Sequence, residues 1–282
     1  MPRIKVPHRH KLLFLALGSV GLLVLGITAG FVVLLSGGYS TAATKQHFAI
    51  TYRILELGLR YSVGTYAEEI ETPDLSRADV ELGQACYRRY CVQCHGAPGI
   101  ARGAIGQGQL PSPSGLAQSA REWPAAHLFY VVQKGVRMSG MPAWEFRISE
   151  HGLWSTVAFL KHMPWMTPAD YRAMSEARSE SDCPPATASA PYSVERARTL
   201  LQQYSCADCH RIDGVVGPRT HIGPTLQDWH TRKFIAGTLP NTPEHLVRWL
   251  LDPVALSPRT LMPDLQVTEV HARDMARYLF EE

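Results

Sequence analysis

The first long apolar stretch of the chain predicts a membrane-spanning helix. From Leu12 to Ser36 there is no charged residue over 25 positions. At 1.5 Å per residue such a helix measures about 37 Å, more than the roughly 30 Å of a hydrocarbon core. A cleaved signal peptide competes with this prediction, with Thr41-Ala42-Ala43 as its small-residue site. The apolar part of a signal peptide measures only about 7–15 residues, so the length favours an anchor at residues 12–36.

The charges that flank this stretch predict its orientation. Residues 1–11 carry four basic side chains and no acidic one, whereas residues 37–52 hold one lysine and no acid. The positive-inside bias makes residues 1–11 a cytoplasmic tail and places everything after residue 38 outside the cytoplasm. The expected location is the inner (cytoplasmic) membrane of a bacterium, crossed once, with the soluble part on the periplasmic side.

Apolar residues at helical spacing continue after the anchor, within a connecting segment at residues 37–75. They recur every three or four positions, which predicts one stripe on a helix of about five turns: Phe48, Tyr52, Leu55, Leu59, Val63 and Tyr66. This helix could lie on the membrane surface or cover the first soluble domain. The run from Glu71 to Ser76 ends it, and Ser76 or Asp79 is a suitable cap for the next helix.

The remaining pattern repeats one helical arrangement twice. In the first copy the leading helix carries Gly83 and Tyr87, and the closing helix carries Leu153, Val157 and Leu160. The second copy has the same order, with these apolar positions: Ala197, Leu200, Leu201, Met275, Tyr278 and Leu279. An internal duplication explains both. We therefore predict an all-α chain with domains at residues 76–174 and 192–282, joined by a linker rich in Ser, Ala and Pro at residues 175–191.

Composition and charge exclude two classes of protein. The chain has 28 basic and 25 acidic residues, and without the four basic residues of the N-terminal tail the balance is 24 to 25. No nucleic acid is expected as a partner, because such binding needs a strongly basic face. With 45% hydrophobic and 19% charged residues the chain is not disordered as a whole.

The cysteines form two identical motifs. Cys91-Val-Gln-Cys94-His95 and Cys206-Ala-Asp-Cys209-His210 are both C-x-x-C-H, the attachment pattern for c-type haem. Two thiols on one helical turn can add to two vinyl groups of the same porphyrin, and the adjacent histidine then faces the iron. One such motif alone could be a zinc half-site or a redox dithiol. Two copies predict two covalently bound haem c groups.

A methionine after each motif supplies a second axial ligand. A thioether is a soft, neutral donor that favours reduced iron. Met141 and Met262 each precede a proline, which fixes an extended loop. Met138 competes with Met141, and Met275 lies in a helical pattern typical of core packing. A histidine could instead complete either site, and the chain offers His127, His151, His221, His230, His245 and His271.

Backbone carbonyls near the two motifs are expected to orient the histidines. Pro111 and Pro113 lie in a loop that can offer a carbonyl to His95, and Pro224 can do the same for His210. Cys86 and Cys183 fall outside both motifs. The favoured interpretation of Cys86 is a small apolar core residue, and a Cys86–Cys183 disulfide is the alternative in an oxidising compartment.

The soluble part resembles class I cytochrome c domains in tandem. The first copy is similar to membrane-anchored cytochromes in three runs: Cys94-His-Gly-Ala-Pro98, Gly140-Met-Pro-Ala-Trp144 and Leu153-Trp-Ser-Thr-Val-Ala-Phe-Leu160. The second resembles the cytochrome domain of subunit II of caa-type haem–copper oxidases in Ile222-Gly-Pro-Thr-Leu226, Thr231-Arg-Lys, Ile235-Ala-Gly-Thr-Leu-Pro-Asn-Thr242, Trp249, Asp252-Pro253 and Met262-Pro263. That resemblance implies that Arg232 lies near a haem propionate. Thr225 and Ala197 depart from the usual Asp and Gly, and the oxidase's copper-binding cysteine pair is missing.

These features together predict an electron carrier and no catalytic residue. The expected function is a single-electron relay in a respiratory chain. Its acceptor would be a terminal haem–copper oxidase, and its donor an upstream complex or a small cytochrome. A cytochrome subunit of a periplasmic dehydrogenase complex is the alternative. A dihaem peroxidase would need an iron with an openable sixth position, whereas both sites here have a methionine.

Overall fold

A computed structural model describes residues 8–186, 191–218 and 222–281 of the chain. These residues are mostly helical, with one short two-stranded ribbon, in agreement with the all-α prediction at that level. The chain divides into two compact units, Met1–Ala186 and Thr187–Glu282, called unit 1 and unit 2 below.

The N-terminal part consists of two helices, α1 (His8–Leu35) and α2 (Ala49–Ala67). Within α1, residues Leu12–Leu35 are long and apolar enough to cross a membrane, and none of this stretch is buried. The connecting helix predicted within residues 37–75 is shorter than that segment. Its expected stripe is also not buried as a whole: Val63 is buried, while Phe48, Tyr52, Leu55 and Tyr66 are exposed. Helical spacing identifies a face, but it does not identify what covers that face.

Unit 1 is built around the crossing of α3 (Arg77–Tyr90) and α8 (Glu150–His162). Ser76 and Asp79 form a reciprocal capping box at the start of α3, so both residues named from the sequence act in the cap. A Cβ on Gly83 would lie 1.8 Å from the carbonyl oxygen of Ser155, so the two helices approach too closely there for any side chain. Tyr87 packs on Phe159 in this core, with ring centroids 5.1 Å apart.

Shorter elements complete unit 1 around this pair. They are α4 (Val92–His95), α5 (Ala104–Gly108), α6 (Leu116–Glu122), α7 (Ala125–Lys134), a 3-10 turn at Met163–Trp165, α9 (Pro168–Ala177) and a 3-10 turn at Glu180–Asp182.

The predicted linker is wrong over residues 175–186, which belong to unit 1. Cys183 forms a disulfide with Cys86 of α3, and both cysteines are buried. Arg88 donates hydrogen bonds to the carbonyl oxygens of Ser175 and Arg178 and forms a 2.9 Å ion pair with Glu180. The Ser, Ala and Pro content suggested a linker, but the cysteine partner lies 97 residues away and leaves no local pattern.

Removing this disulfide is expected to destabilise unit 1 selectively. The bond closes a loop of 97 residues, for which chain entropy contributes up to about 4.7 kcal/mol. We expect a Cys86→Ala/Cys183→Ala variant to lose about 2–5 kcal/mol of unfolding free energy in unit 1. Denaturant unfolding followed by absorbance and circular dichroism measures this. The transition of unit 2 serves as the internal control, and an unchanged midpoint for unit 1 would contradict the prediction.

Unit 2 contains α10 (Val194–Gln203), α11 (Pro243–Leu251), α12 (Pro253–Leu256) and α13 (Glu269–Glu281). Strands β1 (Phe234–Ile235) and β2 (Leu239–Pro240) pair antiparallel, with Phe234 opposite Pro240. The helices pack α10 and α11 onto α13. A 2.8 Å ion pair between Arg196 and Asp274 links α10 to α13. Met275 is completely buried in α13, which agrees with the expected core role.

Candidate functional site

The first C-x-x-C-H motif forms a tight turn at the end of α3. The amides of Cys94 and His95 both donate to the carbonyl oxygen of Cys91, at 3.0 and 2.9 Å. Gly96 ends the turn with φ of +68°, and a Cβ there would lie 2.7 Å from the carbonyl oxygen of Ile100. This geometry favours glycine at position 96. The turn therefore presents two thiols and one imidazole from five consecutive residues.

A backbone carbonyl orients the ring of His95. Nδ1 of His95 lies 3.0 Å from the carbonyl oxygen of Ser114. Because a carbonyl can only accept, Nδ1 holds the proton and Nε2 keeps its lone pair for a metal. The sequence pointed to the carbonyl of Pro113, and the structure corrects this by one residue, to Ser114. Backbone torsions decide which carbonyl of a loop faces the ring. Burial lowers the pKa of His95, which favours the neutral ligand form.

The loop that carries Met141 packs on the loop whose Ser114 carbonyl accepts the hydrogen bond from His95. A Cβ on Gly140 would lie 2.3 Å from the side-chain nitrogen of Gln109, so the residue before Met141 packs directly on the loop that holds His95. The amide of Val136 donates to the carbonyl oxygen of Met141 at 3.1 Å and closes the loop. Met141 is half-buried, whereas its rival Met138 is 94% exposed.

The second C-x-x-C-H motif repeats this arrangement in unit 2. A 3-10 turn at Cys206–Asp208 begins it, and the amide of His210 donates to the carbonyl oxygen of Cys206 at 2.9 Å. Nδ1 of His210 lies 2.7 Å from the carbonyl oxygen of Pro224, the proline named from the sequence. A Cβ on Gly223 would lie 2.4 Å from the His210 ring, so only glycine allows the loop this close. Both histidines thus donate Nδ1–H to a loop carbonyl, and Nε2 takes no part in that hydrogen bond.

Trp249 of α11 contacts the sulfur of Met262. Its indole nitrogen donates a hydrogen bond to Met262 Sδ at 3.1 Å. The sequence alone pointed to Trp249 only as part of a family resemblance, because this contact depends on how α11 meets the loop after α12. In unit 1 the run His127-Leu128 corresponds to His245-Leu246, and four positions after each histidine stand Val131 and Trp249. The side chain of Val131 has no hydrogen-bond donor, so it cannot make the contact that Trp249 makes.

Arg232 lies beside an indole nitrogen that has no partner. Its guanidinium stacks 5.1 Å from the Trp229 ring and donates to the carbonyl oxygen of Thr225. Within the described part of the chain, the buried Nε1 of Trp229 makes no hydrogen bond. A buried donor beside a cation fits a carboxylate acceptor, such as the propionate of a haem. Arg232 was named from the resemblance. Trp229 was missed, and only the structure reveals its unsatisfied nitrogen.

The four motif cysteines form no disulfide. Cys91, Cys94, Cys206 and Cys209 are free, whereas the other two cysteines are paired with each other. Burial raises the pKa of Cys91 and of Cys206 to about 12, so both are protonated at neutral pH. Across the ranges that the structure describes, no three His, Cys, Asp or Glu side chains are arranged to hold a metal ion. The residues present therefore fit two thioether attachments better than a zinc cluster.

The Trp249 contact predicts a difference in potential. With Met262 as a ligand of haem iron, as the sequence predicts, a hydrogen bond to its sulfur would withdraw electron density from that ligand and favour reduced iron. We expect Trp249→Phe to lower the potential at His210 by about 30–59 mV, which corresponds to a threefold to tenfold change in the reduced-to-oxidised ratio. Redox titration of the full chain measures this. Trp165→Phe, at an exposed tryptophan of unit 1, should change neither potential. A shift at the His95 site alone would refute the assignment.

Comparisons with known proteins place a cytochrome c domain in this chain. Residues 78–160 match the family model described as cytochrome c oxidase, cbb3-type, subunit III. Over 70 residues the chain is 33% identical to cytochrome c oxidase subunit 2 of Alkalihalophilus pseudofirmus, which is 25% of this chain and 20% of that protein. The chain thus spans about a fifth of the length of this curated relative.

A solved structure also shows similarity. It is a chain of the reducing HAO-like protein complex of Kuenenia stuttgartiensis, 21% identical, covering 75% of this chain and 99% of that chain with a TM-score of 0.28. The family match is the more informative result, because it includes Cys91, Cys94, His95 and Met141. The chain contains a cytochrome c domain, which implies covalently bound haem c and points to electron transfer.

Proposed function

We propose that the protein is a membrane-anchored dihaem cytochrome c that relays single electrons in a respiratory chain to a terminal haem–copper oxidase. The observation that supports this most directly is the repeated histidine geometry. His95 and His210 each follow a C-x-x-C turn, and each donates Nδ1–H to a loop carbonyl. Both units therefore offer a proximal ligand of the same tautomer and orientation, followed in the chain by a Met-Pro loop.

Each side chain has a role that needs no substrate chemistry. Haem c, when bound, supplies an iron that cycles between the ferrous and ferric states. The cysteine pairs would hold the macrocycle, and His95 with Met141 and His210 with Met262 would bind the iron. In unit 2, Arg232 and Trp229 would bind a propionate. The protein thus fixes ligands, orientation and water exclusion, as expected for a carrier.

Location follows from the anchor and the disulfide. Residues Leu12–Leu35 are a candidate span, and the positive-inside bias assigns both units to the periplasmic side. The buried Cys86–Cys183 bond supports this assignment, because disulfides persist in oxidising compartments. The basic residues before the span lie partly outside the described residues. Anchoring raises the local concentration of any partner in the same bilayer.

The direction of transfer follows from the contact at Met262. Because Trp249 donates to this sulfur and unit 1 has Val131 at the corresponding position, unit 2 should hold the higher potential. Electrons would then enter at the His95 and Met141 site and leave from the His210 and Met262 site. The resemblance of unit 2 to an oxidase domain supports the same direction.

Cleaving the chain between the units tests this direction. A protease sequence placed between Ala186 and Pro191 allows the haem-loaded protein to be cut after it has folded. The released unit 2, once reduced, should support oxygen uptake by membranes that contain the oxidase, and the anchored unit 1 should not. Released unit 2 with Cys206→Ala is the control and should support less oxygen uptake, because haem attachment is weakened in that variant. Oxygen uptake from unit 1 alone would reverse the proposed direction.

A further inference from the structure

One side of α2, called the docked side below, packs against the rest of unit 1. Val63 and Ala67 are buried there, and the ring of Tyr66 stacks on Tyr130 of α7 with centroids 5.8 Å apart. Arg60 forms a 3.4 Å ion pair with Glu122 and lies 5.8 Å from the ring of Trp123. These contacts fix the rotation of α2 about its own axis, and therefore decide which of its residues face away from unit 1.

The opposite side of α2 carries a second apolar stripe. It consists of four residues spaced by four, three and four positions: Ile50, Ile54, Leu57 and Tyr61. Their exposed fractions are 64, 61, 57 and 73%. Val63 follows Ile54 by nine positions, which at 3.6 residues per turn is two and a half turns, so the stripe faces away from the docked side. We call these four residues the outer stripe.

The loop before α2 holds the start of this helix close to the end of α1. The hydroxyl of Tyr39 lies 2.6 Å from Nδ1 of His47, and its ring lies 5.9 Å from that of Phe48. Tyr39 is only four residues after Leu35, a distance of at most about 14 Å. These contacts therefore tie the start of α2 back to the chain just after the candidate span, although 13 residues separate the two helices.

We propose that the outer stripe of α2 lies in the headgroup layer of the phospholipid bilayer. This inference rests on the anchored topology of the proposed function. A helix that exposes an apolar stripe next to a span can bury it at the interface, where tyrosine, the residue type of Tyr61, is favoured. Residues 37–55, which lead from the candidate span into α2, carry two basic side chains and no acidic one, which suits an anionic surface. Unit 1 would then be held against the membrane at two places.

Site-directed spin labelling of the full chain tests the proposal. The haem-loaded protein has its motif cysteines in thioether bonds and its other two in the disulfide, so one introduced cysteine is labelled uniquely. Ile54→Cys and Leu57→Cys are labelled with a nitroxide and reconstituted in vesicles of phosphatidylethanolamine and phosphatidylglycerol. Glu71→Cys, at an exposed position beyond α2, is the control. Frequent collision of the label with oxygen indicates a lipid environment, and frequent collision with a water-soluble nickel chelate indicates an aqueous one.

We expect an oxygen-to-nickel accessibility ratio several-fold higher at positions 54 and 57 than at position 71. A ratio equal to that of position 71 would place the stripe in water and overturn the proposal. Low accessibility to both reagents would mean that a second copy of this chain covers the stripe, which also overturns it. In an Ile54→Lys/Leu57→Lys variant, a label at Tyr61→Cys should lose its oxygen preference.

Two measurements on the unmodified chain distinguish a failure of this proposal from a failure of the proposed function. Flotation with the vesicles after alkaline washing reports the anchor, and chain that fails to float would refute both. Uptake of the label by the unmodified chain reports free motif cysteines and would refute haem attachment. A chain that floats, takes up no label unless a cysteine is introduced, and gives the ratio of position 71 at positions 54 and 57 would overturn only the position of the outer stripe.

Discussion

Denatured protein should retain two haems on each chain, because thioether bonds survive unfolding and coordinate bonds do not. A pyridine haemochrome assay on the acid-extracted protein measures this number. Cys91→Ala and Cys206→Ala should each weaken attachment only at their own site, since the two motifs lie in separate units. The Cys86→Ala/Cys183→Ala variant is the matched control and should keep both haems, because those cysteines pair with each other. One haem on the unmodified chain would contradict the duplicated site.

The second large effect is expected from exchanging the two methionines that we propose as iron ligands. Met141→His and Met262→His should each lower one potential by about 0.1–0.3 V, within the roughly 0.8 V range that axial ligands span. The reason is that imidazole donates more strongly than a thioether to oxidised iron. Redox titration measures the shift, and the weak near-infrared band of methionine ligation should fall by half in each variant.

Met138→His is the matched control for this exchange. Met138 lies three residues before Met141 in the same loop, but its side chain is 94% exposed. Both potentials should therefore stay at their original values in this variant. A fall in potential for Met138→His, with none for Met141→His, would show that Met138 is the ligand and would contradict the proposal for Met141.

Local patterns in the sequence were sufficient for some features of the fold. The capping box of Ser76 and Asp79 depends on residues three apart, and the C-x-x-C-H turns depend on five consecutive residues. The helices of both units follow from apolar spacing in the same way. In each case the interacting groups are close in the chain, so the pattern contains the whole interaction.

Other features depend on contacts between distant residues, and the sequence did not contain them. The loop of unit 1 offers the carbonyl of Ser114 in place of Pro113, because its torsions are set by packing. The outer stripe of α2 was missed because the stripe chosen from spacing lies on the docked side of the helix and includes Val63 and Tyr66. Trp229 was missed because an unsatisfied nitrogen is visible only when its surroundings are known.

The Cys86–Cys183 disulfide also constrains how the protein is made. At about 5–20 residues per second, a partner 97 residues away emerges about 5–20 s after Cys86. During that interval the nearest thiols along the chain are Cys91 and Cys94, the attachment cysteines of the first motif. Pairing of Cys86 with either would block a thioether bond. Correct maturation therefore requires these thiols to stay reduced, or to receive their haem, until the end of unit 1 has been synthesised.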